Sequence, residues 1–186
     1  MTERSGLAYA LLALLTVEGR SGYDIARWFR DVASHYWAAR HSQIYPELAR
    51  LEHDRLIEHH VEPGDRGPER KVYAVTAAGR DALKRWVEQP AREAPLRDEL
   101  MVKALSFGLI ARKIAIEQVR TVRERHAARL VLYEGFARSL VEGTGSSPLS
   151  PASRLGLLLT LRRGIIFESG YVAWCDEAEA MLEAAP

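Results

Sequence analysis

This sequence has one cysteine, almost no net charge and no apolar run of membrane length. Each absence excludes something. A single cysteine, Cys175, rules out a disulfide within the chain and suits a reducing compartment, while a bridge between two chains stays open. Its plain use is as a small apolar filler in a helix. The opening SGLAYALLALLTV lacks the cationic leader and small-residue cleavage site of a signal peptide, and the turn EGRSG follows it directly. It therefore reads as a buried first helix. The longest later apolar run, Leu155 to Trp174, carries Arg162, Arg163 and Glu168 and is no membrane span. The expectation is a soluble, cytoplasmic protein.

Motifs for chemistry are also missing. There is no phosphate-cradling glycine loop, no metal-spaced Cys/His set and no nucleophile motif. His59 and His60 are neighbours on a strand and point to opposite faces, which is poor geometry for sharing a metal. His35 and His41 flank a connector and read as polar surface residues. No cofactor, no metal and no enzymatic activity are expected.

The charge balance is the most restrictive fact. The whole chain of 186 residues carries a formal +1, and residues 1–90 hold 13 Lys/Arg against 13 Asp/Glu. A nucleic-acid binder usually shows a basic footprint. Any phosphate contact in this half must come from a few placed side chains. The composition, 47% hydrophobic and 27% charged, is that of an ordinary globular protein with room for a real core.

The pattern along the chain is orderly. Leu7, Leu11, Leu14 and Leu15 recur at helical spacing up to about Val17. Ser21 can cap the helix that follows, GYDIARWFRDVA, whose Ile25, Trp28, Phe29 and Val32 share one face. The connector SHYWAAR leads to HSQIYPELARLEHDRLI. Beyond Ile57 the period falls to two: IEHHVE and RKVYAVT flank the Pro/Gly cluster PGDRGPE and read as a β-hairpin with a long tip. Thr76 is a plausible cap for AAGRDALKRWVEQ, with Leu83, Trp86 and Val87 as its apolar stripe. Three helices, a hairpin and a helix in that order make a winged helix-turn-helix over residues 1–90. Residues 91–97 read as a proline-bearing linker, and 98–186 as an all-helical domain. The fold is thus mainly α with a small β-hairpin wing. The long helices near 111–141 and 152–182 are apolar on more than a narrow stripe, so a second copy of the chain is the economical partner for them.

In HSQIYPELARLEHDRLI, Ile44, Leu48 and Leu51 fall in one sector that must face the core. If Ser42 or Gln43 begins the helix, Pro46 lies in the first turn, where a missing N–H matters little. The helix start then offers free N–H groups and about half a unit of positive charge. Entering a major groove tip first, those groups would meet phosphate. The amide of Gln43 can pair two-fold with adenine, and Arg50 can grip guanine or phosphate. His41, Ser42 and Tyr45 suit phosphates or base edges, with Tyr23 placed to meet the backbone. At the hairpin tip Arg66, Arg70 and Lys71 are offset by Glu62, Asp65 and Glu69, yet could still follow a minor groove.

The segments SGYDI, SQIYPELARLE followed by LI, GPERKVYAVTAAGRDAL and LRDEL, in this order, resemble the PadR family of transcriptional regulators. The match covers residues 7 to about 107; the helical remainder resembles the branch with a longer C-terminal dimerisation domain. The resemblance implies a homodimer on a palindromic operator, usually a repressor, often released by a small molecule such as a phenolic acid or a drug. Arg55 stands where the family often has a glycine suited to a left-handed helix stop. Trp86, Phe107, Tyr133, Phe136, Phe167, Tyr171 and Trp174 are candidates to line a pocket for a planar effector, with core or dimer packing as their competing use. A winged helix used only for protein contacts is the alternative function, and the neutral N-terminal half is its support.

Overall fold

The computed structural model describes residues 4–33, 37, 39–63, 69–91, 97–144 and 149–184. The chain divides into two compact units, Met1–Ala91 with Leu149–Ser153, and Arg92–Pro148 with Arg154–Pro186. Most of the expected linker (residues 92–96) and the expected hairpin tip (64–68) lie outside the described residues.

The N-terminal unit is built on α1 (Gly6–Val17), which Ser5 caps by accepting the Ala8 N–H at 3.2 Å. Five of its residues, Ala8, Leu11, Leu12, Leu14 and Leu15, are buried, so it is the centre of the core rather than a leader. Truncating one such leucine to alanine costs about 2–5 kcal/mol. α2 (Gly22–Asp31) is capped by Ser21 as the sequence suggests, through the Asp24 N–H at 3.2 Å. Its Ile25 and Phe29 are buried, and so is Val32 just past its end.

The hairpin forms as β2 (Ile57–Glu62) and β3 (Arg70–Val75), antiparallel, with Ile57 opposite Val75 and Glu62 opposite Arg70. Ile57 and Val75 are buried at the core end, whereas Val61 is 52% exposed near the tip. EGRSG is more than a break. Arg20–Ser21 form a short strand, β1, that pairs with β3 and makes a three-stranded sheet in the order β1-β3-β2. Two residues are too few for any alternation to reveal.

α4 (Ala77–Val87) begins where the sequence places it, with Thr76 accepting the Gly79 N–H at 3.1 Å. The Thr76 hydroxyl also faces the carbonyls of Arg55 and Leu56, at 2.8 and 3.0 Å, and its backbone N–H donates to Leu56. The closeness demands a glycine at 79, since a Cβ there would sit 2.1 Å from the Leu56 oxygen. This junction ties the end of the third helix to the start of α4.

The helical unit comprises α5 (Glu99–Ala104), capped by Asp98, a 3-10 turn at Phe107–Leu109, α6 (Arg112–Glu142) and α7 (Pro151–Ala184). α6 ends on Gly143 at φ 70°, the left-handed stop glycine favours. α6 and α7 run antiparallel: Arg120 pairs with Glu179, Arg123 with Asp176, and His126 meets Glu168. Glu168 is fully buried, with His126 Nδ1 2.5 Å from one oxygen and Arg129 Nε 3.3 Å from the other. Tyr171 stacks on His126 at 3.7 Å and donates to Asp98 at 2.7 Å. Burial, with Asp98 second, pushes the Tyr171 phenol well above its ordinary pKa. Large apolar side chains remain exposed on both long helices, among them Val131, Phe136, Leu159, Ile166 and Met181. Among the described residues, no helix is long and apolar enough to cross a membrane.

Candidate nucleic-acid interface

The helix that the sequence singles out, α3, spans His41–His53. Ile44, Leu48 and Leu51 are buried to within 1% and seat it on the core, while His41, Ser42, Gln43, Pro46, Ala49 and Arg50 are exposed. The start differs from expectation. Arg40 is the N-cap, and its carbonyl accepts from Gln43 and Ile44 at 2.8 and 3.3 Å. Pro46 is therefore the sixth helical residue, beyond the first turn, and the expectation that it marks the helix start is corrected. The reason lies in Gln43. Its side-chain oxygen reaches back to accept the Arg40 N–H at 3.0 Å, the far half of a capping box, which draws the helix start back to His41. Proline here withholds the donor that the Ser42 carbonyl would otherwise receive.

The far end of α3 keeps the left-handed stop without glycine. Arg55 has φ 57°, its N–H donates to Glu52, and Leu56 N–H donates to Leu51, both at 2.9 Å. That pair of bonds is the Schellman arrangement, with buried Leu51 and Leu56 as its apolar contact. Arg55 accepts a Cβ penalty of about 1–2 kcal/mol to do it.

Around α3 the polar groups fall into two kinds. Tyr45 is 40% exposed, tilts over His41 at 4.7 Å and rests on Gly22, where a Cβ would meet its ring at 2.7 Å. Tyr23, beside Gly22, is 66% exposed. Most arginines on this unit are already neutralised. Arg30 donates to Asp31 at 2.7 Å, Arg50 to Glu47 at 3.3 Å, and Arg70 to Glu62 at 3.0 Å with Asp24 at 4.0 Å. His60 and then Arg70 hold the Glu62 carboxyl below its usual range. Among the described residues, Arg40 and Lys71 are exposed and meet no carboxylate. Arg66 lies outside the described residues. Glu52 of α3 contacts His59 of β2, linking helix and wing.

An exposed polar helix tip on a buried anchor, followed by a hairpin, is the layout of a DNA-reading winged helix. The comparisons agree. The model of the transcriptional regulator PadR-like family matches residues 11–85, and that of the virulence activator alpha C-terminal region matches residues 96–183. The negative transcriptional regulator PadR of Bacillus subtilis is 32% identical over 95% of this chain and 97% of its own. The chain belongs to the PadR-like family of transcriptional regulators. The crystal structure of Bacillus subtilis PadR in complex with operator DNA superposes with a TM-score of 0.77 at 30% identity, covering 97% of this chain and 99% of that one. The complex of the same protein with p-coumaric acid gives 0.67 at 30% identity, covering 95% and 98%.

The aromatic candidates of this PadR-like chain do not form one group. Trp86 belongs to the N-terminal unit and stacks on Tyr9 at 4.7 Å, its planes 8° apart. Phe107 and Trp174 do come together, lining a cavity of about 480 Å³ with Met181 and Leu182. Tyr171 meets Trp174 edge-on at 5.7 Å, and Phe167 lies 6.1 Å from Tyr171. Tyr133 is wholly buried, while Phe136 is 38% exposed on α6. Sequence reasoning missed Arg40, the N-cap of α3. The spacing from Arg40 to Gln43 is that of a capping box and could have located the helix start.

Proposed function

We propose that this regulator is a homodimeric repressor that binds a palindromic operator and is released by a small aromatic molecule. Residues 1–90 read DNA, 91–97 link, and 98–186 dimerise and hold the effector; the protein works in the cytoplasm and catalyses nothing. The carrying observation is the tip of α3, Arg40 to Gln43, exposed above the buried Ile44, Leu48 and Leu51 in a chain related over its whole length to PadR. Tyr23, His41, Ser42, Gln43, Tyr45, Arg50, Arg70 and Lys71 are the contacts we assign. The exposed apolar side chains of α6 and α7 support dimerisation, because two such faces cover each other in a two-fold pair. The operator and p-coumaric acid complexes of the Bacillus relative support both the DNA target and an aromatic effector.

The test is a gel-shift and footprint assay on the region upstream of its own gene, with p-coumaric acid and other aromatic acids added to the complex. Protection of two symmetric half-sites and release by one acid are expected. Absence of any shift at low salt favours the protein-contact reading, which the 13-to-13 charge balance of residues 1–90 favours. A ligand that binds without changing DNA affinity removes the effector role, since only differential binding shifts the equilibrium.

A further inference from the structure

We propose that Glu47 is a positioning residue for Arg50 and makes it a base reader rather than a phosphate clamp; this rests on the DNA-reading function above. Arg50 projects from the outer face of α3 with 74% of its side chain exposed. An arginine so placed has many rotamers and would follow the nearest phosphate. Glu47, one turn earlier, has only 12% of its side chain exposed. Its two oxygens are held from two sides: Ser5 Oγ donates to Oε1 at 3.0 Å and Arg50 Nη1 donates to Oε2 at 3.3 Å. Ser5 is itself fixed as the N-cap of α1, accepting the Ala8 N–H. A continuous chain of bonds thus runs from the core helix to the guanidinium. Arg50 gives Glu47 one of its five donors, leaving a planar fork free for the O6 and N7 acceptors of guanine.

The charge argues the same way. A carboxylate beside a DNA backbone repels it, so Glu47 weakens any purely electrostatic contact. Holding one there is useful when orientation matters more than charge. Arg40, at the tip of the same helix, meets no carboxylate among the described residues and is suited to phosphate. The two arginines divide the work.

The test is selection of duplexes from a randomised pool by the full-length wild type and variants, with affinity for poly(dI-dC) and melting temperature measured alongside. The wild type is expected to select a guanine in each half-site that Arg50→Ala no longer prefers. Glu47→Gln should lose that preference by about tenfold while binding poly(dI-dC) as tightly or more so. Ser5→Asp keeps an acceptor to cap α1 but sets a second carboxylate against Glu47; it should lower the same preference without touching α3. Loss of no preference in Arg50→Ala, or its full retention in both Glu47→Gln and Ser5→Asp, overturns the proposal alone. A wild type that selects no sequence at all overturns the DNA-reading function with it.

Discussion

Gln43 caps α3 and, in the proposed function, reads a base; one substitution pair can separate the two. Its side-chain oxygen caps α3 by accepting the Arg40 N–H at 3.0 Å, and the residue is exposed at the tip we assign to base contact. Removing both functions by Gln43→Ala should cost about 0.5–1.5 kcal/mol of stability for the lost hydrogen bond. In a domain of this size that is a fall of roughly 2–12 °C in Tm, at about 4–8 °C per kcal/mol. The same variant should lose about 1–3 kcal/mol of discrimination at defined bases. Gln43→Glu keeps an oxygen for the Arg40 N–H and adds negative charge at a helix N-terminus, worth about 0.3–1 kcal/mol. It should therefore melt at or above the wild-type temperature, yet lose adenine pairing, because a carboxylate offers no N–H to the N7 acceptor. Thermal melting by circular dichroism and titration of a duplex series with single base changes read the two jobs separately. Unchanged melting in Gln43→Ala would remove the cap. Equal weakening on every duplex would reduce Gln43 to a positioning contact.

Three further outcomes follow from particular contacts. Arg55→Gly relieves a φ of 57° while keeping the Schellman bonds, so it should stabilise by about 0.5–1 kcal/mol in urea unfolding; destabilisation would show that the Arg55 side chain matters more than its backbone. Gly79→Ala drives a Cβ to 2.1 Å from the Leu56 carbonyl and should cost about 1–3 kcal/mol or more, read as a lower urea midpoint; wild-type stability would mean the α3–α4 junction is looser than its geometry. Operator binding should show a shallow salt dependence. With Arg40 and Lys71 as the exposed cations of α3's tip and the wing that meet no carboxylate among the described residues, the proposed dimer neutralises about four phosphates through them and its log–log slope should be near −4; a slope near −10 would mean that paired arginines such as Arg50 and Arg70 open on DNA or that further cations of the unit join the contact.

Much of this fold was legible because its signals are local and periodic. Ser21 and Thr76 cap the helices expected of them, and the Ile44, Leu48 and Leu51 sector faces the core. The change of period at Ile57 marks β2. The errors come where geometry is set across the sequence or by a single bond. β1 is two residues long and exists only through β3. The start of α3 turned on one reach-back from Gln43, which a proline-centred reading placed one to two residues late. Arg55 adopts a conformation that composition disfavours, because Leu51, Leu56 and the Thr76 hub over-determine the turn. The aromatic candidates share only their residue type. Type does not distinguish a cavity wall such as Trp174 from a packed ring such as Tyr133, since both satisfy the same apolar demand.

The near-zero charge of the N-terminal half, awkward for a DNA binder, becomes a mechanism once the pairings are known. Basic residues are present in ordinary number, but among the described residues carboxylates of the same unit hold half of them, Arg4, Arg20, Arg27, Arg30, Arg50 and Arg70. On a random duplex each ion pair must either stay closed and contribute little or open at the expense of its partner. In the proposed reading, the hydrogen bonds from α3 at a cognate site bring the helix close enough for a guanidinium to be shared between its carboxylate and a base edge. Non-specific affinity is therefore held down while specific affinity is retained. A regulator facing an excess of competing genomic sites depends on that ratio rather than on affinity itself.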